Sequence, residues 1–257
     1  MSLLEGFRFR RKRTPLHSLD PRVKFMIAID YTILSLWFIE VIPLFMILLS
    51  TLVLVIIAKS LGEWKRTMKG ILPFLLLIFG INFISIGEDR LNYSLSMTLR
   101  FASLTSAFSV FFLTTTPDEL ALAMESSGIP RDYSLMFTMA LRFVPTLSRD
   151  LQIIMDALKS RGFELEKGNV VARLRNYAYI LVPLIIYEIR RSLMIAEALE
   201  ARGYGATRKV DSPYKLAMRR KDYTVLTLST TMTILILTSK MVGALPPWIY
   251  LKLPEPL

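Results

Sequence analysis

The sequence predicts an all-α integral membrane protein. It comprises about five transmembrane helices plus a cytoplasmic coupling domain of one short and two long helices. Three observations lead there. Apolar runs of membrane length alternate with basic segments. The placement of Lys and Arg follows the positive-inside rule. Between residues 117 and 222, two long helical patterns end in the same short motif. With 53% hydrophobic residues and a mean hydropathy of +0.45, the chain carries more apolar surface than soluble domains usually do. The net charge of +11 is then read as topology-setting and lipid-facing charge, not as a nucleic-acid footprint. There is no Cys, which excludes disulfides and thiolate metal sites.

Taken in order, the N-terminal segment "MSLLEGFRFRRKR" has charge but no apolar core after it, and is not read as a cleavable signal peptide. The apolar stretch from Phe25 to Ala58 spans roughly 50 Å as helix. That is too long for one crossing of about 30 Å. Glu40 and Pro43 interrupt it near the middle, so it reads as two short, tightly joined helices. A third helix is expected over about Ile71–Gly87, a fourth over about Leu91–Thr114 and a fifth over about Thr224–Leu245.

Charge tests this count. Arg8, Arg10, Arg11, Lys12, Arg13, Arg22 and Lys24 precede the first span; Lys59, Lys65, Arg66 and Lys69 follow the second. Both groups fall on one side only if two spans separate them. The loop "GEDRLNYS" has one Arg and fits the outside, and residues 117–222 return inside with seventeen Lys and Arg. The N-terminus is therefore expected in the cytoplasm. Asp30 and Arg100 lie within spans, where charges are functional candidates by default. Asp30 sits about 8 Å and Arg100 about 14 Å from the nearer helix end, and snorkelling to the interface is the expectation.

The chain thus divides into residues 1–116 (basic segment and four spans), 117–222 (coupling domain) and 223–257 (last span and tail). The coupling domain opens with "TPDELALAMESSGIP". Thr116 at N-cap, Pro117 at N1 and Glu119 at N3 form a capping box, and Gly128 with Pro130 supplies the stop. Two long helices follow, about Asp132–Ser160 and about Val170–Ala201, with internal prolines Pro145 and Pro183 where bends are expected. Each starts apolar and turns amphipathic. Both are expected to begin under the membrane and to end away from it.

Their ends carry the repeat. "DALKSRGF", Asp156 to Phe163, returns 41 residues later as "EALEARGY", Glu197 to Tyr204. Glycine after a helix suits a left-handed cap, and arginine in the last turn suits the macrodipole. One such end needs no further account. Two equal ends, each with a small residue before the arginine, also make narrow tips whose planar guanidinium can enter a groove and bind carboxylates. Two copies point to two equivalent grooves, as on a dimer or pseudo-dimer.

At these residues the sequence resembles the transmembrane, or T, component of energy-coupling factor (ECF) transporters, the EcfT/CbiQ-like family. The family's two small-Arg-small motifs read here as Ser160-Arg161-Gly162 and Ala201-Arg202-Gly203. "LHSLDPRVKF", Leu16 to Phe25, and "LRFVPTL", Leu141 to Leu147, also resemble family stretches. The resemblance covers essentially the whole chain. It implies a multi-pass protein of the cell membrane that helps import a vitamin or metal ion. It also implies that each tip docks in one of two ABC-type ATPase subunits, and that the membrane part moves a separate substrate-binding S component.

Catalysis finds no support in the residues. No G-x-x-x-x-G-K-[ST] occurs, so ATP binding through a P-loop is not expected. The one histidine, His17, has no metal-binding companions in sequence, and no cofactor is expected. "LDPR", Leu19 to Arg22, reads as a turn before the first helix. Two other readings compete with the transport reading. One is an interfacial membrane enzyme using Asp118, Glu119, Asp150 or Asp156, which show no catalytic spacing. The other is a membrane scaffold recruiting a different cytoplasmic partner.

Overall fold

The computed structural model describes residues 14–85, 89–163, 169–206, 216, 218–244 and 246–250. Among them are α1 (Pro21–Trp37), α2 (Val41–Ile57), α3 (Leu61–Ser85), α4 (Arg90–Thr114), α5 (Pro117–Ser126), α6 (Arg131–Ser160), α7 (Val170–Ala201), α8 (Arg220–Val242) and a 3-10 turn at Pro247–Tyr250. The described residues contain no strand, and the fold is that of an all-α membrane protein. The basic residues Arg8, Arg10, Arg11, Lys12 and Arg13, together with Gly87 and Leu245, lie outside the described residues. Two compact units are formed: α1–α5 with α8 in one, α6 with α7 in the other. The short helix α5 packs against α1.

The stretch from Phe25 to Ala58 is two helices, broken between Trp37 and Val41. Each has 17 residues, roughly 25 Å at 1.5 Å per residue. Helices α3, α4 and α8 are long and apolar enough to cross a membrane. The third helix differs from expectation at its start. It begins at Leu61 rather than Ile71, so Lys65, Arg66 and Lys69 form its exposed first turns, not a loop. Hydropathy marks where lipid begins; Leu, Glu, Trp, Lys, Arg and Met are compatible with helix well before that point.

In the bundle unit α4 packs against α1, α2 and α3, and α8 packs against α1. The face of α4 that does this is small and polar: Ser94, Ser103 and Ser106 are fully buried, beside Ala102 and Ala107. Small residues let helix backbones approach where lipid offers no hydrophobic drive to association. Ser106 also links three helices. The Trp64 indole N–H of α3 donates to Ser106 Oγ at 2.9 Å, and Ser106 Oγ lies 2.9 Å from Thr51 Oγ1 of α2. Thr51 spends its own proton on Leu48 O at 2.8 Å. The Ser106 hydroxyl must therefore donate to Thr51, and the chain runs Trp64→Ser106→Thr51→Leu48.

Both intramembrane charges are met by protein groups, Arg100 on the end of α1 and Asp30 on α8. Arg100 donates from Nε to Ser35 O at 3.1 Å and from Nη2 to Phe38 O at 2.9 Å. These carbonyls close α1, where a helix leaves acceptors unpaired and its dipole is negative. Asp30 accepts the hydroxyl of Ser229 from α8. Lys240 of α8 serves the same end of α1: its ammonium meets Trp37 O at 3.3 Å, sits 4.4 Å from the Phe38 ring centroid and pairs with Glu40 at 2.9 Å. Partial burial pushes the Glu40 carboxyl up, but the Lys240 ammonium and backbone donors outweigh it and hold the group below its ordinary value.

At the other end of α1, Asp20 is the N-cap, accepting from Arg22 N at 2.9 Å, with Pro21 at the first helical position. Lys24 is buried there and donates to Thr114 O at 2.8 Å, which ties the start of α1 to the end of α4.

Candidate docking site

Both arginine tips are built by the same local hydrogen bonding. At the end of α6, Gly162 N–H donates to Lys159 O at 2.9 Å and Phe163 N–H to Leu158 O at 3.0 Å. At the end of α7, Gly203 N–H donates to Glu200 O at 2.8 Å and Tyr204 N–H to Leu199 O at 2.9 Å. This pair of bonds is the Schellman motif. Gly162 and Gly203 both sit at φ +80°, a conformation that glycine adopts without steric cost. The shared Leu, Gly and aromatic positions of the repeat are thus the parts of one helix stop. The arginine is not: Arg161 and Arg202 are C-cap residues at φ −86° and −89°, compatible with any side chain.

Arg161 and Arg202 are exposed, and among the described residues neither guanidinium meets a carboxylate. Ser160, which precedes the first arginine, donates its hydroxyl to Asp156 O of its own helix at 2.9 Å. It therefore offers a neighbour little more than Ala201 does at the second tip. An added Cβ at Gly162 or Gly203 would meet nothing within 4 Å among the described residues, so both tips are narrow and uncovered by those residues.

Three contacts set the direction of α6 against α7. The rings of Phe163 and Tyr179 meet edge-on at 5.5 Å. Arg191 binds Asp150 at 2.6 Å. Tyr204 Oη donates to Asp132 at 2.6 Å. Falling numbers on α6 meet rising numbers on α7, so the helices are antiparallel and the tips lie at opposite ends of the pair. From Tyr179 to Arg202, and from Asp132 to Arg161, the helical rise gives a separation of roughly 35–45 Å. This corrects the expectation that both helices start at the membrane and end away from it. An antiparallel pair cannot send both ends to the same side along its axis. Nothing in either helix alone carries that information; the Tyr204–Asp132 bond joins residues 72 positions apart.

The pair is braced by Arg191, which also binds Glu188 at 2.9 Å and lies over the Tyr187 ring at 4.8 Å. The hydrogen bond it donates to Asp150 raises its pKa, against a smaller opposing effect of burial and with help from Glu188. The carboxylates weighed for catalysis are dispersed. Glu119 closes the capping box of α5 with Thr116, at 3.2 and 3.1 Å. Asp150 is taken by Arg191, Asp156 accepts from Gln152 at 3.1 Å, and Asp118 is exposed. His17 Nδ1 lies 2.6 Å from Thr14 Oγ1. Arg191 and Tyr204 were not singled out by sequence. A signal for Tyr204 was present in the aromatic that ends each repeat.

Comparison with known proteins points to one family. Residues 12–213 match the family described as CbiQ, cobalt transport protein. The chain is 34% identical to the energy-coupling factor transporter transmembrane protein EcfT of Streptococcus thermophilus, over 74% of this chain and 80% of that one. It is 32% identical to EcfT of Clostridium kluyveri, over 74% and 79%. It is 30% identical to EcfT of Staphylococcus aureus, over 89% and 94%.

Proposed function

The chain belongs to the CbiQ family of transport proteins, and from that premise we propose that it is the energy-coupling transmembrane subunit of an ECF-type ABC importer for a vitamin or a metal ion. Arg161 and Arg202, flanked by Ser160, Gly162, Ala201 and Gly203, dock in the grooves of two ABC-type ATPase subunits. Closure of those subunits on ATP moves the α6–α7 pair, and the bundle passes the motion to a substrate-binding S component. The subunit itself is not catalytic; hydrolysis belongs to its partners. Its N-terminus and the coupling helices face the cytoplasm, in line with their Lys and Arg content.

One observation carries this reading. Two exposed guanidinium groups terminate equal, rigidly capped helix ends at opposite ends of one braced pair. A partner with two equivalent grooves matches that duplication; a single-site enzyme or a monovalent partner leaves one tip without use. The exposed apolar stripe of α7, including Val182, Ile185 and Ile189, supports a further partner in or at the membrane, since surfaces of this kind are normally covered.

The test is to purify the chain with its partners from the native host after Arg161→Ala, Arg202→Ala or both. Truncating one member of a buried ion pair costs about 2–5 kcal/mol. Each single variant is expected to weaken ATPase retention by at least about thirtyfold at 1.4 kcal/mol per decade, and the double variant to abolish substrate uptake. All three variants still insert in the membrane, because neither arginine holds the fold. Normal uptake by the double variant refutes the docking assignment.

A further inference from the structure

The chain leaves the helix bundle at Gly128 and re-enters it at Leu216. Every covalent route between the bundle and the α6–α7 pair passes through these two segments. One side chain holds both. Arg22 donates from Nη1 to Ser126 O at 3.3 Å, just before the chain leaves, and from Nη2 to Leu216 O at 3.4 Å, where it returns. The bound residues are 104 and 194 positions away in sequence.

The guanidinium is aimed from behind. Asp20 takes it bidentately, Nε to Oδ1 at 3.1 Å and Nη2 to Oδ2 at 3.2 Å, with only 2% of the Asp20 side chain exposed. Asp20 is in turn fixed by Asp222, whose Oδ1 accepts the Asp20 amide at 3.1 Å while its Oδ2 accepts the Arg219 amide at 2.7 Å. The starts of α1 and α8 and both connections therefore meet at one fork. The grip is uneven. It is charge-assisted and two-pronged toward Asp20, but made of long bonds to neutral carbonyls toward the connections. Displacement of either connection therefore loads a fork that Asp20 holds firmly to the start of α1. A lysine has no planar fork to make these bonds together.

We propose that Arg22, positioned by Asp20 and Asp222, is the joint through which movement of the α6–α7 pair is delivered to α1 and α8. The joint deepens the energy-coupling reading and rests on it, but its mechanical part can be tested without any partner.

The chain has no Cys, so Ser192→Cys on α7 and Met241→Cys on α8, both exposed, accept spin labels uniquely. In the purified full chain, Arg22→Ala broadens the label-to-label distance distribution measured by pulsed electron resonance. Arg22→Lys broadens it partly, and Arg161→Ala leaves it unchanged. In the complete transporter reconstituted in liposomes, Arg22→Ala retains its ATPase subunits and hydrolyses ATP, but uptake per ATP falls at least tenfold. Should Arg22→Ala not fold, Arg22→Lys and Asp222→Asn replace it in both measurements. An unchanged distance distribution, or an unchanged ratio of uptake to hydrolysis, overturns the joint. If instead the tip variants transport normally, the docking assignment fails, and the distance measurement still decides on Arg22.

Discussion

Ser106 offers a quantitative test of how the bundle is held. Its hydroxyl accepts from Trp64 and donates to Thr51, at 2.9 Å in both cases. Ser106→Ala is nearly isosteric, so it removes both bonds with little cavity contribution. An intramolecular hydrogen bond is worth about 0.5–1.5 kcal/mol net, and interhelical bonds in membrane bundles average about 0.6 kcal/mol. The two together predict a loss of about 1–2 kcal/mol. Thr51→Val is expected to cost less, because the Trp64–Ser106 bond survives and the other Thr51 partner is a carbonyl of its own helix. The assay is unfolding in mixed micelles with rising dodecyl sulfate. The specific claim is tested by the double-mutant cycle of Ser106→Ala with Trp64→Phe. The expected coupling is about 0.6–1.5 kcal/mol. Additivity within about 0.3 kcal/mol would show that the Trp64–Ser106 bond contributes nothing, and the directed relay would be wrong.

At the helix stops, Gly162→Val or Gly203→Val forces a β-branched residue to a φ near +80°. About 1–2 kcal/mol of local stability should be lost, seen as faster hydrogen exchange at the Phe163 or Tyr204 amide, while Gly→Asn is tolerated better. The Glu40–Lys240 pair should make stability fall in acid. The folded-state carboxyl lies below its ordinary 4.5, so the contribution is complete above that pH and disappears as pH drops through the folded value. Glu40→Gln should flatten the thermal midpoint between about pH 3 and 6.

Much of this architecture was legible in the sequence, for reasons that are local. The break at Glu40 and Pro43 follows from length against bilayer thickness, and Trp37 and Val41 bound it within a few residues. The capping box at Thr116 and Glu119 depends on a spacing of three and is found as written. The Arg-Gly repeat ends both long helices because its Leu, Gly and aromatic positions are the Schellman components. What the sequence withheld is non-local. Hydropathy puts the start of α3 too late because it reports lipid, not helix. The acceptors of Arg100, Ser35 O and Phe38 O, belong to another helix, and nothing near Arg100 in sequence names them. The role of Arg22 depends on Leu216, which no pattern near Arg22 announces.

The repeat also separates what a helix needs from what a partner needs. A Schellman stop requires a residue free to adopt positive φ and gains from an apolar contact across it. Any residue satisfies the C-cap position, since φ there is near −87° at both tips. A macrodipole cation could equally be Lys, as Lys159 in the last turn of α6 already is. Arginine at the C-cap of both helices is therefore the one element of the motif that its own fold does not demand. Its value is stiffness. With the last turn closed by two backbone bonds and Tyr204 tied to Asp132, the only slack between the helix axis and the guanidinium is the arginine side chain itself. Under the docking proposed above, a push on that group is carried along α6 or α7, and the Arg191–Asp150 pair links the two helices. A frayed end carrying the same charge would absorb it.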